Sequence, residues 1–363
     1  MSGEMRTFSA DPGQPADFDG GRVAWVDTAK GLCIILVVMM HSTLGVGEAM
    51  GSTGFMHTIV AFAKPFRMPD FFLVSGLFLS RVIDRDWRSY GDKRVVHFFY
   101  FYLLWLVIQS VFKFGQVSGG SAVGFVEHLA WSLVEPFSTL WFIYLLAVFS
   151  IATKLLRGVP PLVLLAGAAA LEMAPIHTEW FLLNEFCDRY VYFLAGYLFA
   201  PHIFRLAAAA ATKPGLALPG LGVWAVIEGI FAFTPSGVEG FPTLASLPVA
   251  SLALGALGAM AIITTASLLS STNFARPFRY CGQHSIAIYL AFFLPMAATR
   301  AVLLKTGVIQ DVGWVSLIVT TVAVVAPLVL ERLVRGTWAD FLFVRPASFH
   351  LGPRRAVRLQ PAE

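Results

Sequence analysis

The chain has few charged residues for its length. Asp, Glu, Lys and Arg make up 13% of its 363 residues, hydrophobic residues make up 57%, and the mean hydropathy is +0.72. That charged share is about half the value typical of soluble domains. The apolar residues are grouped in blocks of about 20, the length that crosses a bilayer as a helix. The composition excludes an ordinary soluble protein and indicates an integral membrane protein.

The sequence also lacks the common signatures of nucleotide and metal chemistry. It contains no Gly-rich phosphate loop, no dinucleotide fingerprint and no zinc-ligand spacing. Its three cysteines, Cys33, Cys187 and Cys281, lie in or at the ends of apolar blocks and are expected to be small buried apolar residues. Ser285 has no Gly-x-Ser-x-Gly pattern around it. We therefore expect no metal site and no bound cofactor.

Ten apolar blocks predict an all-α polytopic bundle of about ten transmembrane helices. They cover residues 23–47, 55–83, 94–114, 139–156, 161–175, 186–204, 216–233, 244–269, 284–304 and 312–334. Residues 123–134 are too few to span. We expect a disordered cytoplasmic segment at residues 1–22, one membrane domain at residues 23–335 and a basic tail at residues 336–363. No small-residue cleavage site follows the first block, so it is interpreted as a retained helix.

Lysine and arginine are missing from every second connecting loop. The loops around residues 51, 119, 177, 237 and 308 contain none, whereas the alternate loops and the tail are basic. By the positive-inside rule, both termini are expected in the cytoplasm. The tail is expected to lie along the anionic cytoplasmic membrane surface. The net charge of +4 is then explained by topology, and nucleic acid is not an expected partner.

Two ionisable residues of the first block, Lys30 and His41, are predicted to share a helix face. At about 100° per residue, eleven residues bring His41 back to within about 20° of Lys30 and about 16 Å further along the axis. Ionisable side chains at membrane depth are costly, and they usually face a cavity or a partner. An imidazole can accept a hydroxyl proton near neutral pH. His41 is therefore a candidate general base, and the alternative is a structural histidine.

The second block contains a further pair of cations. Residues 63–70 read AKPFRMPD, which places Lys64 and Arg67 at a depth comparable with that of His41. Two prolines in this run remove backbone donors, which membrane helices tolerate only beside protein or a water-filled cavity. Two cations here are suited to bind a thioester, a phosphate or a developing oxyanion. The alternative is an internal ion pair between Arg67 and Asp70.

Other candidates depend on fewer observations. Asp27, three residues before Lys30, is expected either to neutralise that lysine or to orient an anionic ligand. Trp141 is either a stacking platform for a sugar or one of the aromatics enriched at membrane interfaces. Lys93 and Arg94 are either phosphate contacts or topology-setting charges, and we favour the second interpretation. The remaining ionisable groups in apolar blocks are interpreted as ion pairs of the bundle: Asp188, Arg189 and Glu228.

These motifs resemble those of the membrane-bound acyltransferase family 3, bacterial integral-membrane O-acyltransferases of glycans. Residues 22–41 resemble the family's first-helix signature, in which ten residues separate a basic residue from a histidine. Residues 66–76, FRMPDFFLVSG, resemble its second-helix motif. Weaker similarity follows in order at residues 140–142, 192–197 and 282–290. The resemblance extends from Arg22 to about Val334.

The resemblance implies transfer of an acyl group, commonly acetyl, from cytoplasmic acyl-CoA (acetyl-CoA) to a hydroxyl of a cell-surface or periplasmic glycan or lipid-linked sugar. It also implies a multi-pass protein of the bacterial inner membrane. We expect contact with membrane lipids, and a homo-oligomer is possible. His41, Lys30 and Arg67 match the family's functional residues. We expect Lys30 and Asp27 to bind the donor, and Arg67 with Lys64 to polarise its carbonyl. His41 is expected to be either a general base or a transient acyl carrier.

One segment departs from the family, and one rival function remains. In the family, the stretch that matches Tyr289 and Leu290 often continues to a histidine, whereas here it continues as AFF at residues 291–293. The role of that histidine is not transferred to this chain. The rival is a secondary transporter or exporter of a lipid-linked sugar or a related metabolite. Transporters often carry broken helices at matching positions of two halves, and we expect no later counterpart of the break at residues 65–69.

Overall fold

The computed structural model describes residues 18–19, 22–176 and 178–351. The predicted N-terminal segment at residues 1–22 therefore lies almost entirely outside the described residues. The end of the predicted tail, residues 352–363, lies outside them as well.

Helices dominate the described chain. They are α1 (Ala24–Met50), α2 (Phe55–Ala63), α3 (Arg67–Gly76), α4 (Trp87–Gly91), α5 (His97–Phe112), α6 (Phe114–Val117), α7 (Ala122–Trp131), α8 (Trp141–Leu155), α9 (Pro161–Met173), α10 (Phe181–Leu198), α11 (Ala200–Thr212), α12 (Pro214–Phe233), α13 (Pro248–Ser270), α14 (Ala275–Gln283), α15 (Ser285–Ala291), α16 (Phe293–Thr306) and α17 (Val312–Val334). A π-helical turn (Asp92–Val96) joins α4 to α5. Short 3₁₀ turns occupy Leu79–Arg81, Ser138–Leu140, Leu156–Gly158, Leu244–Ser246, Trp338–Leu342 and Ala347–Phe349.

The strands form two small antiparallel hairpins and no larger sheet in the described residues. In the first, β1 (Phe18–Asp19) pairs with β2 (Arg22–Val23) immediately before α1. In the second, β3 (Pro235–Val238) pairs with β4 (Phe241–Thr243) in the loop between α12 and α13. The predicted fold class, an all-α helix bundle, is confirmed.

Long apolar helices make the chain a multi-pass membrane protein. Among the described residues, six helices are long and apolar enough to cross a membrane, or up to eight if each bent pair is one span. The bent pairs are α10 with α11, at 76°, and α15 with α16, at 53°. We expected no later counterpart of the proline-rich break at residues 65–69, and these bends show that later helices are interrupted as well. The absence of a later break is therefore no argument against a transporter.

The second apolar block is not one helix, because its proline-rich run interrupts it. α2 ends at Ala63 and α3 begins at Arg67. Pro65 cannot donate a backbone hydrogen bond, whereas Pro69 lies in the first turn of α3, where no intrahelical donor is needed. The amide of Asp70 closes the first turn on Phe66 O at 3.0 Å. This interruption leaves Arg67 at the very start of α3.

Two glycine pairs let helix backbones touch at the crossings that support the chambers described below. Where α1 crosses α14, a Cβ on Gly31 would overlap Phe278 O, and one on Gly282 would overlap Asp27 O. Where α3 crosses α10, the same holds for Gly76 and Gly196. Only glycine permits such a close approach. α14 itself was predicted as a connecting loop, because its exposed face carries arginines.

Aromatic rings fill the centre of the bundle. Phe72 of α3 contacts Phe142 and Phe149 of α8 at ring-centroid distances of 4.7 and 5.1 Å, and Phe149 contacts Phe193 of α10 at 5.5 Å. Such pairs contribute about 0.5–1.5 kcal/mol each beyond their buried area. α12, by contrast, is largely exposed at the edge of the bundle. The three helices α3, α8 and α10 form the rigid support on which the candidate site is built.

The first part of the predicted tail is folded against α5. Tyr100 donates a hydrogen bond to Phe341 O at 2.9 Å, and Trp105 Nε1 donates one to Leu342 O at 3.0 Å. Further along, Arg345 donates to the carboxylate of Asp92 at 2.9 Å. Residues 338–351 therefore form a strap across the end of the bundle at which α1 begins.

Candidate active site

Three cavities follow one another through the bundle. The largest, here called the basic chamber, measures about 560 Å³ and lies at the end where α1 begins. The middle chamber measures about 260 Å³, and the His41 chamber, further along α1, measures about 230 Å³. The first volume is within the range of small-molecule sites, roughly 300–1,000 Å³.

Shared walls show that the three cavities are neighbours in the bundle. The basic and middle chambers have five lining residues in common: Lys30, Phe78, Arg94, Ser285 and Ile286. The middle and His41 chambers share three aromatic residues, Phe71, Phe142 and Tyr289. Because α1 is continuous, Lys30 and His41 are about 16 Å apart along its axis.

The His41 chamber brings together two of the predicted site residues. His41 of α1 and Arg67 of α3 both line it, and their charges interact. His41 also packs on Phe292, at the bend between α15 and α16, with ring centroids 5.5 Å apart. That phenylalanine belongs to the segment in which the family often has a histidine. Two helix interruptions thus meet at His41, one of which carries Arg67 and the other Phe292.

Arg67 is not paired with Asp70. Arg67 is buried, and its Nε and Nη1 have no hydrogen-bond partner; both carboxylate oxygens of Asp70 are also without one. Each group also faces a like charge, because Glu228 of α12 acts on Asp70 and Arg189 acts on Arg67. The structure therefore does not contain the internal ion pair that was the alternative interpretation of Arg67. Buried guanidinium donors without partners are costly, and this is typical of a site that awaits a ligand.

Lys64 does not belong to this chamber, although the sequence predicted it beside Arg67. It directly follows the last residue of α2, and its side chain is exposed. It is absent from the walls of all three chambers. The physical reason is the turn at residues 64–66, which interrupts the helix and separates the directions of two side chains only three positions apart.

Asp27 and Lys30 both line the basic chamber, as their spacing predicted. Asp27 is buried, and its Oδ2 has no hydrogen-bond partner. Residues interpreted as topology charges also line this chamber: Arg81, Arg85 and Arg94. Glu331, the other acid here, is bonded to His284 Nδ1 at 2.7 Å and to Arg335 at 2.9 Å. With four cations against two acids in its wall, the basic chamber is suited to a polyanion.

Tyr289 fixes the boundary between the middle and His41 chambers. Its hydroxyl donates to Thr139 O at 2.5 Å and accepts from the amide of Ile143 at 3.3 Å. These two bonds attach α15 to the first turn of α8 and to the 3₁₀ turn before it, and Trp141, the first residue of α8, lines the His41 chamber. Beside it, Phe71 and Phe142 are stacked with centroids 4.4 Å apart and planes 8° from parallel.

The sequence interpretation missed two charged residues of the His41 chamber. Glu185 and Arg189 of α10 line it, with Arg189 Nε donating to Glu185 Oε2 at 3.2 Å. Arg189 was interpreted as a member of a bundle ion pair, which is correct, but the pair faces the cavity. Phe181, one helical turn earlier, lines the same wall. Phe181, Glu185 and Arg189 are spaced by four residues, and this helical spacing could have identified the face of α10 that lines the chamber.

Comparison with known proteins supports the family resemblance. A family model described as an acyltransferase domain matches residues 23–332. The inner membrane protein YcfT of Escherichia coli (strain K12) is 25% identical over 204 residues, which are 49% of this chain and 57% of that protein. The chain thus spans little more than half the length of this curated relative. No solved structure matches the chain.

Proposed function

Because the chain belongs to the acyltransferase family whose domain model spans residues 23–332, we propose that it is a membrane O-acyltransferase. It transfers an acyl group, acetyl in our proposal, from cytoplasmic acyl-CoA to a hydroxyl of a cell-surface or periplasmic glycan. The observation that carries the proposal is the line of three chambers, which leads from a polyanion site to a histidine and a buried arginine.

The chambers match the parts of an acyl-CoA molecule in order. The phosphates of the nucleotide are polyanionic and fit the basic chamber, where Lys30 and three arginines lie. The pantetheine arm is a narrow chain and fits the middle chamber, whose wall is mostly apolar and aromatic. The thioester at its end then reaches the His41 chamber. Asp27 orients the donor at the entrance, beside Lys30.

The transfer step uses His41 and Arg67. Arg67, with two free N–H donors, hydrogen-bonds the thioester carbonyl and stabilises the oxyanion that forms on it. His41 takes the proton of the acceptor hydroxyl while the hydroxyl oxygen attacks the carbonyl carbon. A carbon–oxygen ester bond forms, the carbon–sulfur bond breaks, and the thiolate leaves and takes up a proton. The alternative sequence of steps passes the acyl group through His41 covalently.

We place the protein in a bacterial inner membrane with both termini in the cytoplasm. The placement is supported by the inner-membrane relative and by the basic loops at one end of the bundle. We count ten spans by adding the broken pair α2–α3 and the short α9 to the six single helices and two bent pairs. The basic chamber then opens to the cytoplasm, where acyl-CoA is made, and the His41 chamber faces the outer half of the membrane.

Transfer from labelled acetyl-CoA tests this function. The purified protein is reconstituted in proteoliposomes with acetyl-CoA and soluble sugars, and both release of free CoA thiol and appearance of labelled sugar ester are measured. We expect thiol release that depends on sugar and on His41. If wild-type protein consumes no acetyl-CoA with any sugar, and labels none, the proposed function is wrong.

The bent helices favour one rival, a transporter of lipid-linked sugar, because such helices at mid-membrane are common in transporters. The same proteoliposomes separate the two functions. A transporter moves the sugar across the bilayer without consuming acetyl-CoA, whereas an acyltransferase leaves an ester on it. Movement of unmodified sugar would favour the rival.

A further inference from the structure

The wall of the His41 chamber opposite α1 comes mainly from one face of α10. Phe181, Glu185 and Arg189 are spaced by four residues, so they lie along one stripe of that helix. All three line the chamber, together with Trp141 of α8. The close crossing of α3 and α10 at Gly76 and Gly196 holds this stripe in register with α3, which carries Arg67.

The stripe divides into an aromatic part and a polar part. Phe181 and Trp141 meet edge to face with ring centroids 5.7 Å apart, and 39% of Phe181 is exposed at the start of α10. Deeper in the chamber, the ion pair between Arg189 Nε and Glu185 Oε2 leaves Glu185 Oε1 and the terminal guanidinium nitrogens for other partners. An acceptor and two donors sit next to apolar rings, a combination typical of small-molecule sites in which a few polar groups fix orientation.

The charges of the chamber are unevenly compensated. Glu185 neutralises Arg189, whereas Arg67 has no carboxylate partner and its Nε and Nη1 are unbonded. The uncompensated cation suits the carbonyl oxygen of the donor, where negative charge develops. The compensated pair suits a neutral group that both donates and accepts hydrogen bonds. Neighbouring hydroxyls of a sugar have this chemistry, and a carboxylate does not.

We propose that the stripe of Phe181, Glu185 and Arg189 is the acceptor subsite, and that it binds an uncharged sugar through two neighbouring hydroxyls. The inference rests on the proposed function. The ring of the sugar lies against Phe181 and Trp141, and the ion pair holds two hydroxyls so that a third faces His41. Glu185 also excludes anionic sugars, because its charge repels them and cancels that of Arg189.

Acceptor preference tests this assignment with two defined probes, methyl α-glucoside and methyl α-glucuronide, and with acetyl-CoA as donor. We measure kcat/KM for each sugar and KM for acetyl-CoA in the full-length protein. Wild type is expected to prefer the glucoside. Glu185→Gln removes one negative charge and leaves Arg189 uncompensated, so the ratio should move toward the glucuronide by about tenfold, with KM for acetyl-CoA unchanged.

Two controls separate a binding role from a structural one. Glu179→Gln makes the same change on an exposed residue just before α10, and it should not move the ratio. The exchange Glu185→Arg with Arg189→Glu keeps the ion pair but reverses its direction. A purely structural pair tolerates the exchange, whereas a subsite does not. We therefore expect the acceptor KM of the exchanged protein to be several-fold higher than that of wild type.

Each result decides a different question. An unchanged sugar ratio in Glu185→Gln, or a normal acceptor KM in the exchanged protein, overturns the subsite while leaving acyl transfer intact. Consumption of acetyl-CoA by wild type without esterification of either probe also overturns the uncharged-sugar subsite. Absence of any acetyl-CoA consumption by wild type overturns the proposed function itself. Phe181→Ala provides an independent check, since it should raise the KM of both sugars without changing their ratio.

Discussion

The basic chamber and the His41 chamber are both lined by α1, but they differ in size and in the charges of their walls. The first is large and has four cations in its wall, so no single charge is indispensable. The second has less than half that volume, and its single histidine and its one uncompensated arginine come from different helices. Redundant charges are suited to attract and hold a flexible polyanion. Single groups at fixed positions are suited to bond rearrangement, because small errors in geometry are costly there.

This difference predicts a gradient of mutational effects along α1. Substitutions in the His41 chamber should lower turnover steeply, whereas substitutions in the basic chamber should weaken donor binding modestly. The following variants, in order of decreasing expected effect, test that gradient.

His41→Ala should have the largest effect. Loss of a general base lowers turnover by about 10²–10⁴-fold, and loss of a covalent carrier lowers it further. Because the histidine is only half-buried, the variant should still fold and insert. Turnover of acetyl-CoA and thermal stability are measured beside His202→Ala, which removes an exposed histidine of α11. Near wild-type turnover in His41→Ala would remove His41 from the mechanism.

Arg67→Lys should be strongly impaired although the charge is retained. A guanidinium presents a planar set of donors that an ammonium group does not reproduce. Loss of one donor to a developing oxyanion costs about 3–4 kcal/mol, or roughly 10²–10³ in rate. Arg157→Lys, at an exposed arginine after α8, is the matched control and should be silent. If the two variants have equal turnover, Arg67 has no special geometric role.

Gly282→Ala should disturb the support of the basic chamber rather than its chemistry. The new Cβ would overlap the carbonyl oxygen of Asp27, so α14 has to move away from α1. Overpacking of this kind destabilises proteins by about 1–3 kcal/mol. The measurement is the midpoint of thermal unfolding in detergent, compared with Gly229→Ala, where a Cβ meets nothing within 4 Å. An unshifted midpoint in Gly282→Ala would contradict the close crossing.

Lys30→Ala should have the smallest effect and should act on the donor alone. Three arginines remain in the chamber, so we expect the KM for acetyl-CoA to rise by about tenfold, equivalent to 1.4 kcal/mol, with acceptor KM unchanged. Lys30→Arg should restore part of the affinity, because charge is the main requirement. Lys93→Ala, at an exposed lysine outside the three chambers, is the control. A defect confined to the acceptor would contradict the assignment of this chamber.

Much of the fold was predictable because membrane insertion imposes simple rules on sequence. A span must be apolar over about 20 residues, so the blocks gave the helices at nearly their observed positions; α17 was predicted at residues 312–334, where it lies. The prediction failed where helix ends depend on neighbours. α14 was taken for a loop, because an arginine-bearing amphipathic segment carries no length signal. The bends at Phe199 and Phe292 also escaped notice, although a proline, Pro201 or Pro295, follows each of them within three residues.

The candidate site was predictable along a helix but not between helices. The periodicity of α1 placed Lys30 and His41 on one face, and each of them lines one of the neighbouring chambers. Lys64 and Arg67, by contrast, are close in sequence, yet only Arg67 lines a chamber, because the helix is interrupted between them. The orientation of Asp70 away from Arg67 likewise depends on α1 and α12, which no local pattern reveals.

By itself, the sequence determined the membrane class, the family and the residues able to do chemistry, since length, hydropathy and motif spacing are local properties. Only the tertiary structure decided which of those residues meet. Contacts between helices depend on where backbones can approach, at Gly31 with Gly282 and at Gly76 with Gly196, and on side-chain packing across the bundle. The packed bundle places the three chambers beside one another, and it brings the ion pair of α10 and His41 into one cavity wall.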